Sequence, residues 1–289
     1  MRDFDFLQPA TVLEASRMLG ELGDECRAMA GGTALMLALR QRMVTPTHIV
    51  SLAKLEELRG ISFDAITGLR IGALCRHNEI AQSPIVQQHY PMLAAMAAQV
   101  ANPQVRNQGT IGGNLCYADP ATDPPGCLMA LGARVSLQSR QGERELSVEQ
   151  FMVDYFTTAI APDEVLTGIL IHPPVADAVG LYSRFLRTAA EHRPLVSIAL
   201  CVRKSGLLCH EARLVVGASV VVPARLNGAE AMLNGQRITR ELASQVANQA
   251  AQSIEPIDDL RGSAAFRRNM VRVVTTRSLI QLFGLAESP

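Results

Sequence analysis

Apolar residues in the first fifty positions follow the spacing of helices that alternate with short strands. Over residues 11–23 they recur every three or four positions, which predicts an amphipathic helix, and both ends carry residue types common at helix caps. Short apolar runs predict strands at 26–30 and 48–52. Between them, Thr33 is placed to cap a helix over 33–42. We therefore expect a strand–turn–helix–strand unit at this end of the chain.

The middle of the chain mixes apolar runs with proline and glycine. Its pattern predicts a strand at 69–74 and then a mostly helical stretch at 77–100, which Ser83-Pro84 interrupts. The segment 102–125 is rich in proline and glycine and has few long apolar runs, so we expect an ordered loop or a series of turns there. A short helix at 128–131 and a strand ending near Gln138 follow.

The second half begins with strands and ends with helices. Ser205-Gly206 is typical of a hairpin turn between two of these strands. The predicted strands lie at 165–171, 182–186, 195–202 and 207–218, and the predicted helices at 224–233, 241–253 and 263–283. Extended backbone is favoured before proline, so we place the main domain boundary at Pro173-Pro174.

The composition is that of a globular protein of about two domains. The chain has 289 residues, of which 48% are hydrophobic and 19% charged. We expect an N-terminal domain over 1–174, divided into subdomains of about 1–55 and 56–174, and a C-terminal domain over 175–289. The 27 basic and 27 acidic residues cancel, which argues against binding to nucleic acid or to an anionic membrane surface.

Neither a secretory signal nor a membrane span is expected. The first residues lack the basic and apolar regions of a signal peptide, and no stretch reaches the roughly 20 apolar residues that a span requires. The six cysteines form no Cys-x-x-Cys pair, which favours free thiols, no metal site and a cytoplasmic location. The six histidines show no ligand spacing, and we expect each of them at the surface or in the core.

Two glycine turns are the main candidates for function. The first, Ala30–Leu35, reads Ala-Gly-Gly-Thr-Ala-Leu. Paired glycines allow positive φ and a close approach of the backbone, and a turn that leads into a helix presents free N–H groups to an anion. An ordinary tight turn capped by Thr33 explains the same residues about equally well.

The second turn is the more specific of the two. Residues 102–115 combine side-chain amides with the sequence Gly-Thr-Ile-Gly-Gly-Asn, which suits phosphate or sugar oxygens. Asp119 and Asp123 follow and offer carboxylates to ribose hydroxyls. The alternative is a rigid loop whose amides bond only its own backbone. Two such turns in one chain indicate that both sides of a dinucleotide are held.

Several common enzyme motifs are missing. Neither turn is a Walker A loop or a Gly-x-Gly-x-x-Gly fingerprint, so a Rossmann site is not expected. No serine nucleophile elbow occurs, and no residue is assigned a catalytic role.

Both turns resemble the FAD-binding medium subunit of the molybdenum hydroxylases, the xanthine dehydrogenase and carbon monoxide dehydrogenase family. Residues 30–33 look like the family's first pyrophosphate loop, and 104–115 are similar to its second. Asp123 ends a segment similar to Ser-Pro-Ala-Gly-Asp, whose aspartate binds the adenosine ribose. The resemblance runs nearly end to end through Tyr182-Ser-Arg-Phe and the segment 258–268. Arg267 and Arg268 of that segment are interpreted as structural, with contact to another subunit as the alternative.

The resemblance implies a cofactor, FAD, and a set of residues that hold it. Arg184 stands where relatives carry a lysine near the flavin, Ala34 replaces a polar residue, and Thr122 replaces a glycine. No cysteine-rich insert occurs, which disfavours the benzoyl-CoA-reducing branch. The expected cofactor-binding residues are Ala30, Gly31, Gly32, Thr33, Ala34, Leu35, Thr110, Ile111, Gly112, Gly113, Asn114, Asp123 and Arg184.

The resemblance also implies a fold and an assembly. The fold is a mixed α/β and α+β one: a two-subdomain, PCMH-type FAD-binding region, followed by a small domain with a three-stranded antiparallel sheet and helices. The assembly is a heterotrimer, expected to dimerise, with a large molybdopterin subunit and a small subunit carrying two [2Fe–2S] clusters. This chain would pass electrons from those clusters to an external acceptor.

Two other functions stay open at this point. One is a stand-alone FAD-dependent oxidoreductase, and the other is a scaffold subunit without functional FAD. Substrate choice is expected to lie in the large subunit, so N-heteroaromatic compounds, purines and carbon monoxide all remain as substrates, and NAD, oxygen, a quinone or a cytochrome as acceptor.

Overall fold

The N-terminal part is a three-stranded parallel sheet with two helices. The computed structural model describes residues 2–285. Strand β3 lies between β1 and β2, and both pairings are parallel. The predicted strand–turn–helix–strand unit is confirmed. In chain order the elements are β1 (Asp5–Leu7), α1 (Val12–Leu22), β2 (Cys26–Met29), α2 (Leu35–Arg40) and β3 (His48–Ser51).

The start of α2 corrects the sequence prediction. The residue before the helix is Ala34, which provides no side-chain cap, so Thr33 does not cap this helix. By contrast, Thr11 caps α1 by accepting from the N–H of Glu14, and Gly23 ends that helix at a φ of 52°.

The central part is a five-stranded antiparallel sheet with short helices against it. Its order is β4-β5-β10-β6-β7, so the two neighbours of β10 come from before and after the helical stretch. The elements are β4 (Ile61–Asp64), β5 (Gly68–Gly72), α3 (His77–Gln82), α4 (Pro84–His89), α5 (Pro91–Gln99), α6 (Pro103–Gln108), α7 (Ile111–Tyr117), α8 (Pro124–Ala130), β6 (Arg134–Ser139), β7 (Gly142–Ser147), α9 (Val148–Phe151), β8 (Met152–Asp154), β9 (Thr157–Thr158) and β10 (Val165–Ile171).

The segment predicted as loop and turns is largely helical. Asn102 caps α6 by accepting from the N–H of Val105 at 2.9 Å, and Pro103 occupies the first helical position. Thr110 caps α7 in the same way. The polar and proline residues that suggested turns are helix-start residues here. The two helices that they begin are short, with six and seven residues.

The C-terminal part is an antiparallel sheet covered by helices, as predicted. Three long strands form it, and two short strands extend it: the order is β11-β12-β13-β14, with β15 on the far end of β13. Gly206 makes the predicted hairpin turn at a φ of 58°. The elements are β11 (Ala178–Phe185), β12 (Val196–Ser205), β13 (Leu208–Gly217), β14 (Ala224–Arg225), α10 (Asn227–Leu233), β15 (Gln236–Arg237), α11 (Arg240–Gln252) and α12 (Ala264–Phe283).

The largest hydrophobic core joins the central and C-terminal parts. Buried residues of β5, β10 and α5 share one cluster with Tyr182, Ala199 and Val215 of the C-terminal sheet. Helix α8 packs on β12 and β13, and α5 packs on β11. A second cluster lies between the C-terminal sheet and α10–α12, and a third lies beneath α1. The central part therefore rests on the C-terminal sheet through apolar side chains.

Two further properties concern residues 2–285. No helix in this range is both long and apolar enough to cross a membrane. No group of histidine, cysteine and acidic side chains in this range is arranged to hold a metal ion. All six cysteines are free thiols.

Candidate functional site

The two glycine turns lie directly against each other. A Cβ added at Gly31 would meet the carbonyl oxygen of Gln108 and would lie 2.9 Å from the Cα of Gly109. Only glycine permits this contact between two backbones. The Thr33 hydroxyl approaches the same point, 3.3 Å from where a Cβ on Gly109 would stand. The two turns therefore form one site, although 76 residues separate Gly109 from Thr33 in sequence.

A cleft of about 670 Å³ opens between the two turns. Such a volume lies within the range of roughly 300–1,000 Å³ that is usual for cofactor sites. Ten of the thirteen residues predicted to bind cofactor line it: Ala30, Gly31, Gly32, Thr33, Ala34, Leu35, Thr110, Gly112, Gly113 and Asn114.

The first turn presents a run of free backbone donors. In the part of the chain that the structure describes, the N–H groups of residues 31–35 have no hydrogen-bond acceptor, whereas the N–H of Met36 donates to Gly32. Gly32 has a φ of +70°, a left-handed conformation of the kind found in backbone turns that bind anions. Five unpaired donors in a half-buried turn are suited to a phosphate group.

The second turn uses its N–H groups to fix itself to the protein. Ile111 donates to the carbonyl of Cys75 at 3.0 Å and Gly112 donates to that of Ala73 at 2.9 Å. Gly113 donates to the Thr110 hydroxyl at 3.1 Å. These N–H groups are thus already engaged within the protein, and the second turn is the wall against which the first turn rests. Its own contacts with a cofactor stay a prediction.

Gly112 has a packing role that the sequence did not show, while its predicted contact with a cofactor stays a prediction. A Cβ at this position would lie 2.7 Å from the Cβ of Ala73 and 2.8 Å from its carbonyl oxygen. Glycine is required there because α7 packs closely on the chain after β5. Gly113 faces the first turn instead, with the Cβ of Ala30 3.4 Å from where its own would stand.

The side-chain amide of Asn114 is held by Thr122. Its Nδ2 lies 2.8 Å from the Thr122 Oγ1, which in turn lies 3.1 Å from the Asn114 Oδ1. The Thr122 hydroxyl thus fixes the amide at the wall of the cleft. The sequence showed Thr122 only as a departure from the family's glycine.

Aromatic side chains border the cleft, which the sequence did not predict. Tyr117 and Phe156 line it, and their ring centroids are 5.1 Å apart at an interplanar angle of 74°. Tyr155 packs on Phe156 in a similar edge-to-face way at 4.7 Å. In a chain with only eight phenylalanines and four tyrosines, this cluster gives the cleft an apolar rim. The rim forms because the turn between β8 and β9 packs beside α7, a tertiary contact that the local sequence does not predict.

Three predicted residues lie outside the cleft lining. Ile111 is fully buried in the central core. Asp123 is 2% exposed, and its carboxylate accepts from the Tyr182 hydroxyl at 2.5 Å and from Arg184 at 3.4 Å. Burial raises the pKa of Asp123 to about 6, although its two partners act to lower it. The structure thus brings Asp123 and Arg184 together, and their contacts with a cofactor stay a prediction.

His77 is a cleft residue that the sequence did not single out. It is the first residue of α3, is 1% exposed and lines the cleft. Its Nδ1 has no hydrogen-bond partner among the described residues. Burial, together with the nearby positive charge of Arg106, lowers the pKa of His77 to about 4, so the ring is neutral at physiological pH. The sequence-based expectation that this histidine lies at the surface or in the core agrees with its burial, but it did not place His77 at the cleft.

Comparison with known proteins assigns the chain to a protein family. The model of the FAD binding domain in molybdopterin dehydrogenase matches residues 2–174, and that of the CO dehydrogenase flavoprotein C-terminal domain matches residues 182–282. The chain belongs to the FAD-binding medium subunits of the molybdenum hydroxylases. This confirms the resemblance, and it establishes FAD as the cofactor and oxidoreductases as the class of enzyme.

Individual relatives match over nearly their whole length. The carbon monoxide dehydrogenase medium chain of Hydrogenophaga pseudoflava is 32% identical over 96% of both chains. The glyceraldehyde dehydrogenase medium chain of Sulfolobus acidocaldarius is 32% identical over 96% of this chain and 97% of that one. The fold superposes on carbon monoxide dehydrogenase from Hydrogenophaga pseudoflava with a TM-score of 0.93 at 32% identity, covering 96% of each chain. For quinoline 2-oxidoreductase from Pseudomonas putida 86 the TM-score is 0.91 at 30% identity, covering 97% of each.

The residues of the cleft fit FAD. A dinucleotide has a doubly charged pyrophosphate between two flat ring systems. The free N–H groups of residues 31–35 suit the pyrophosphate, and the aromatic rim of Tyr117 and Phe156 suits a ring.

Proposed function

We propose that this chain is the electron-transfer subunit of a molybdenum hydroxylase complex. It receives electrons from the [2Fe–2S] clusters of a small partner subunit and delivers them to an external acceptor, while a large subunit holds molybdopterin and the substrate. The observation that carries the proposal is the pairing of free backbone donors with a rigid second turn in one cleft of this family's fold. The expected assembly is a dimer of heterotrimers. The six free thiols suit a reducing compartment, the cytoplasm.

The chain's own residues bind and orient the cofactor. The N–H groups of residues 31–35 hold the pyrophosphate, and the second turn supports the first because Gly31 rests on the carbonyl of Gln108. Asn114, fixed by Thr122, offers an amide at the wall. When bound there, FAD supplies a carrier that accepts electrons from one-electron donors and releases them to one- or two-electron acceptors.

Substrate choice is proposed to lie outside this chain. Relatives of similar identity are named for carbon monoxide, glyceraldehyde and nicotine. Medium chains about equally similar to this one thus occur in enzymes named for very different compounds, which supports a substrate site on another subunit.

The test is direct transfer between subunits. The small subunit, reduced with dithionite and freed of excess reductant, is mixed anaerobically with the FAD-loaded chain. We expect the absorption of oxidised flavin to disappear as the clusters reoxidise, and no change with a small subunit that lacks clusters. Clusters that stay reduced beside a flavin that stays oxidised would contradict the proposal.

A further inference from the structure

We propose that Thr122 is a positioning residue for the cofactor, which acts by holding the side-chain amide of Asn114 at the wall of the cleft. The inference rests on the proposed FAD site and extends it to the turn 119–123, which belongs to neither glycine turn. A glycine stands at this place in the family segment that 119–123 resembles, and glycine has no hydroxyl to offer. The hold on Asn114 is therefore a feature of this chain that the family's common motif does not supply.

One hydroxyl engages both polar atoms of the amide. The Asn114 Nδ2 donates to the Thr122 Oγ1 at 2.8 Å, and the same hydroxyl donates to the Asn114 Oδ1 at 3.1 Å. A hydroxyl can donate and accept at the same time, whereas the terminal torsion of an asparagine is otherwise broad. Thr122 thereby fixes the plane of the amide.

The amide keeps binding capacity after this engagement. Its NH2 group has two donors and its oxygen has two lone pairs, and Thr122 takes one of each. Among residues 2–285 the amide has no other hydrogen-bond partner. Asn114 is half-buried and lines the cleft, whereas Thr122 does not line it. One N–H and one lone pair are left for the cofactor, and the effect of Thr122 on binding passes through Asn114.

The turn itself is anchored on both sides by the C-terminal part. On one side, Asp119 forms an ion pair with Arg193, which lies between β11 and β12, and it also accepts from a backbone N–H within the turn at 2.9 Å. On the other side, Asp123 accepts from the Tyr182 hydroxyl of β11. A hydroxyl on an anchored turn has a fixed place, so the amide that it holds is oriented before the cofactor arrives. Less conformational freedom is then lost on binding.

A double-mutant cycle separates this role from a merely structural one. The dissociation constant of FAD is measured by flavin fluorescence on the full chain for the wild type, Thr122→Val, Asn114→Ala and the double variant. We expect Thr122→Val to raise the constant about three- to tenfold, the effect of one hydrogen bond. In the Asn114→Ala background the same substitution should change it by less than about twofold, because the amide that Thr122 holds is gone.

Two further variants complete the comparison. Thr122→Ser keeps the hydroxyl, so its dissociation constant should stay within about twofold of the wild-type value. Thr276→Val is the matched control, since the Thr276 hydroxyl bonds the carbonyl of Arg272 at 2.9 Å in α12 and does not line the cleft. This control should leave the affinity for FAD unchanged.

Each outcome decides. Equal affinity of wild type and Thr122→Val would overturn the inference and leave the proposed function standing. A rise of the same size in both backgrounds, or a Thr122→Ser variant as weak as Thr122→Val, would also overturn it, because Thr122 would then not act through a hydroxyl on Asn114. If the Asn114→Ala chain does not fold, as judged by circular dichroism, the Ser and Val pair still gives the answer. A folded wild type that binds no FAD would contradict the proposed function itself, and this inference with it.

Discussion

At the scale of single residues, the site depends on the lack of a side chain at Gly31. The absence of a side chain lets the first turn touch the backbone at Gln108 and Gly109, and this contact supports the turn that carries the free N–H groups of residues 31–35. The requirement is one of space, since the positive φ in this turn belongs to Gly32 and not to Gly31.

Gly31→Ala is expected to weaken FAD binding about tenfold or more, because the added methyl group must push the two turns apart. The measurement is a titration of the folded chain with FAD. Gly228→Ala is the matched control, since a Cβ there meets only the flexible end of Gln249 at 3.4 Å. Unchanged affinity in Gly31→Ala would show that the contact between the turns is not needed.

Asp123 gives a prediction about pH. Burial raises the pKa of its carboxyl to about 6 from the ordinary 3.8. Between these values the folded protein binds more protons at this group than the unfolded chain, so its contribution to stability falls as pH rises. Relative to Asp123→Asn, the wild type should lose up to about 3 kcal/mol of unfolding free energy from about pH 4 to about pH 7.

Urea unfolding at both pH values measures this difference. Asp3→Asn, which removes a carboxylate at an exposed position, is the control and should show no comparable change. A difference between wild type and Asp123→Asn that stays constant with pH would mean that the carboxylate is not destabilised by its burial.

At the scale of secondary-structure elements, helix α12 is fixed to the sheet by one arginine. Arg267 is 1% exposed and donates to the carbonyls of Leu195 and Ala218 at 3.1 and 3.0 Å. It also donates to the carbonyl of Gly262 and to the Asp259 carboxylate, the latter at 2.7 Å. The structural role expected for this arginine from the sequence agrees with these bonds.

Arg267→Met should therefore destabilise the protein by roughly 2–4 kcal/mol, since several buried carbonyls lose a charged donor. Arg267→Lys should restore little of it, because an ammonium group cannot reach all four acceptors at once. Thermal unfolding is the measurement, and Arg268→Met is the control: Arg268 is exposed and makes one bond of 3.3 Å to Ile254. Equal stability of the two methionine variants would contradict this account.

The elements also show what the sequence could and could not predict. The strands of 165–171 and 208–217 were found because their apolar runs are local and long. Helices α6 and α7 were not predicted because each has only about two turns. The residue types that begin these helices, asparagine, threonine and proline, are also common in loops. The meeting of the turns at Gly109 and the burial of His77 depend on tertiary packing, which no local pattern contains.

At the scale of the whole molecule, the cleft lies in a structure whose parts share a core. Tyr182 and Ala199 of the C-terminal sheet pack with residues of the central sheet, and the Tyr182 hydroxyl bonds Asp123 just before α8. The segment from the second turn to Asp123 is thus fixed at one end by the chain that follows β5 and at the other by the C-terminal sheet. This explains how a wall made of short helices stays rigid.

The central claim is that this chain carries FAD between its two glycine turns. The full chain is purified, incubated with excess FAD, passed through gel filtration and unfolded, and the released flavin is identified and counted by chromatography. We predict about one FAD per chain, with a clear loss in Gly31→Ala and none in Gly228→Ala. A chain that is folded by circular dichroism and yet retains no flavin would contradict the claim.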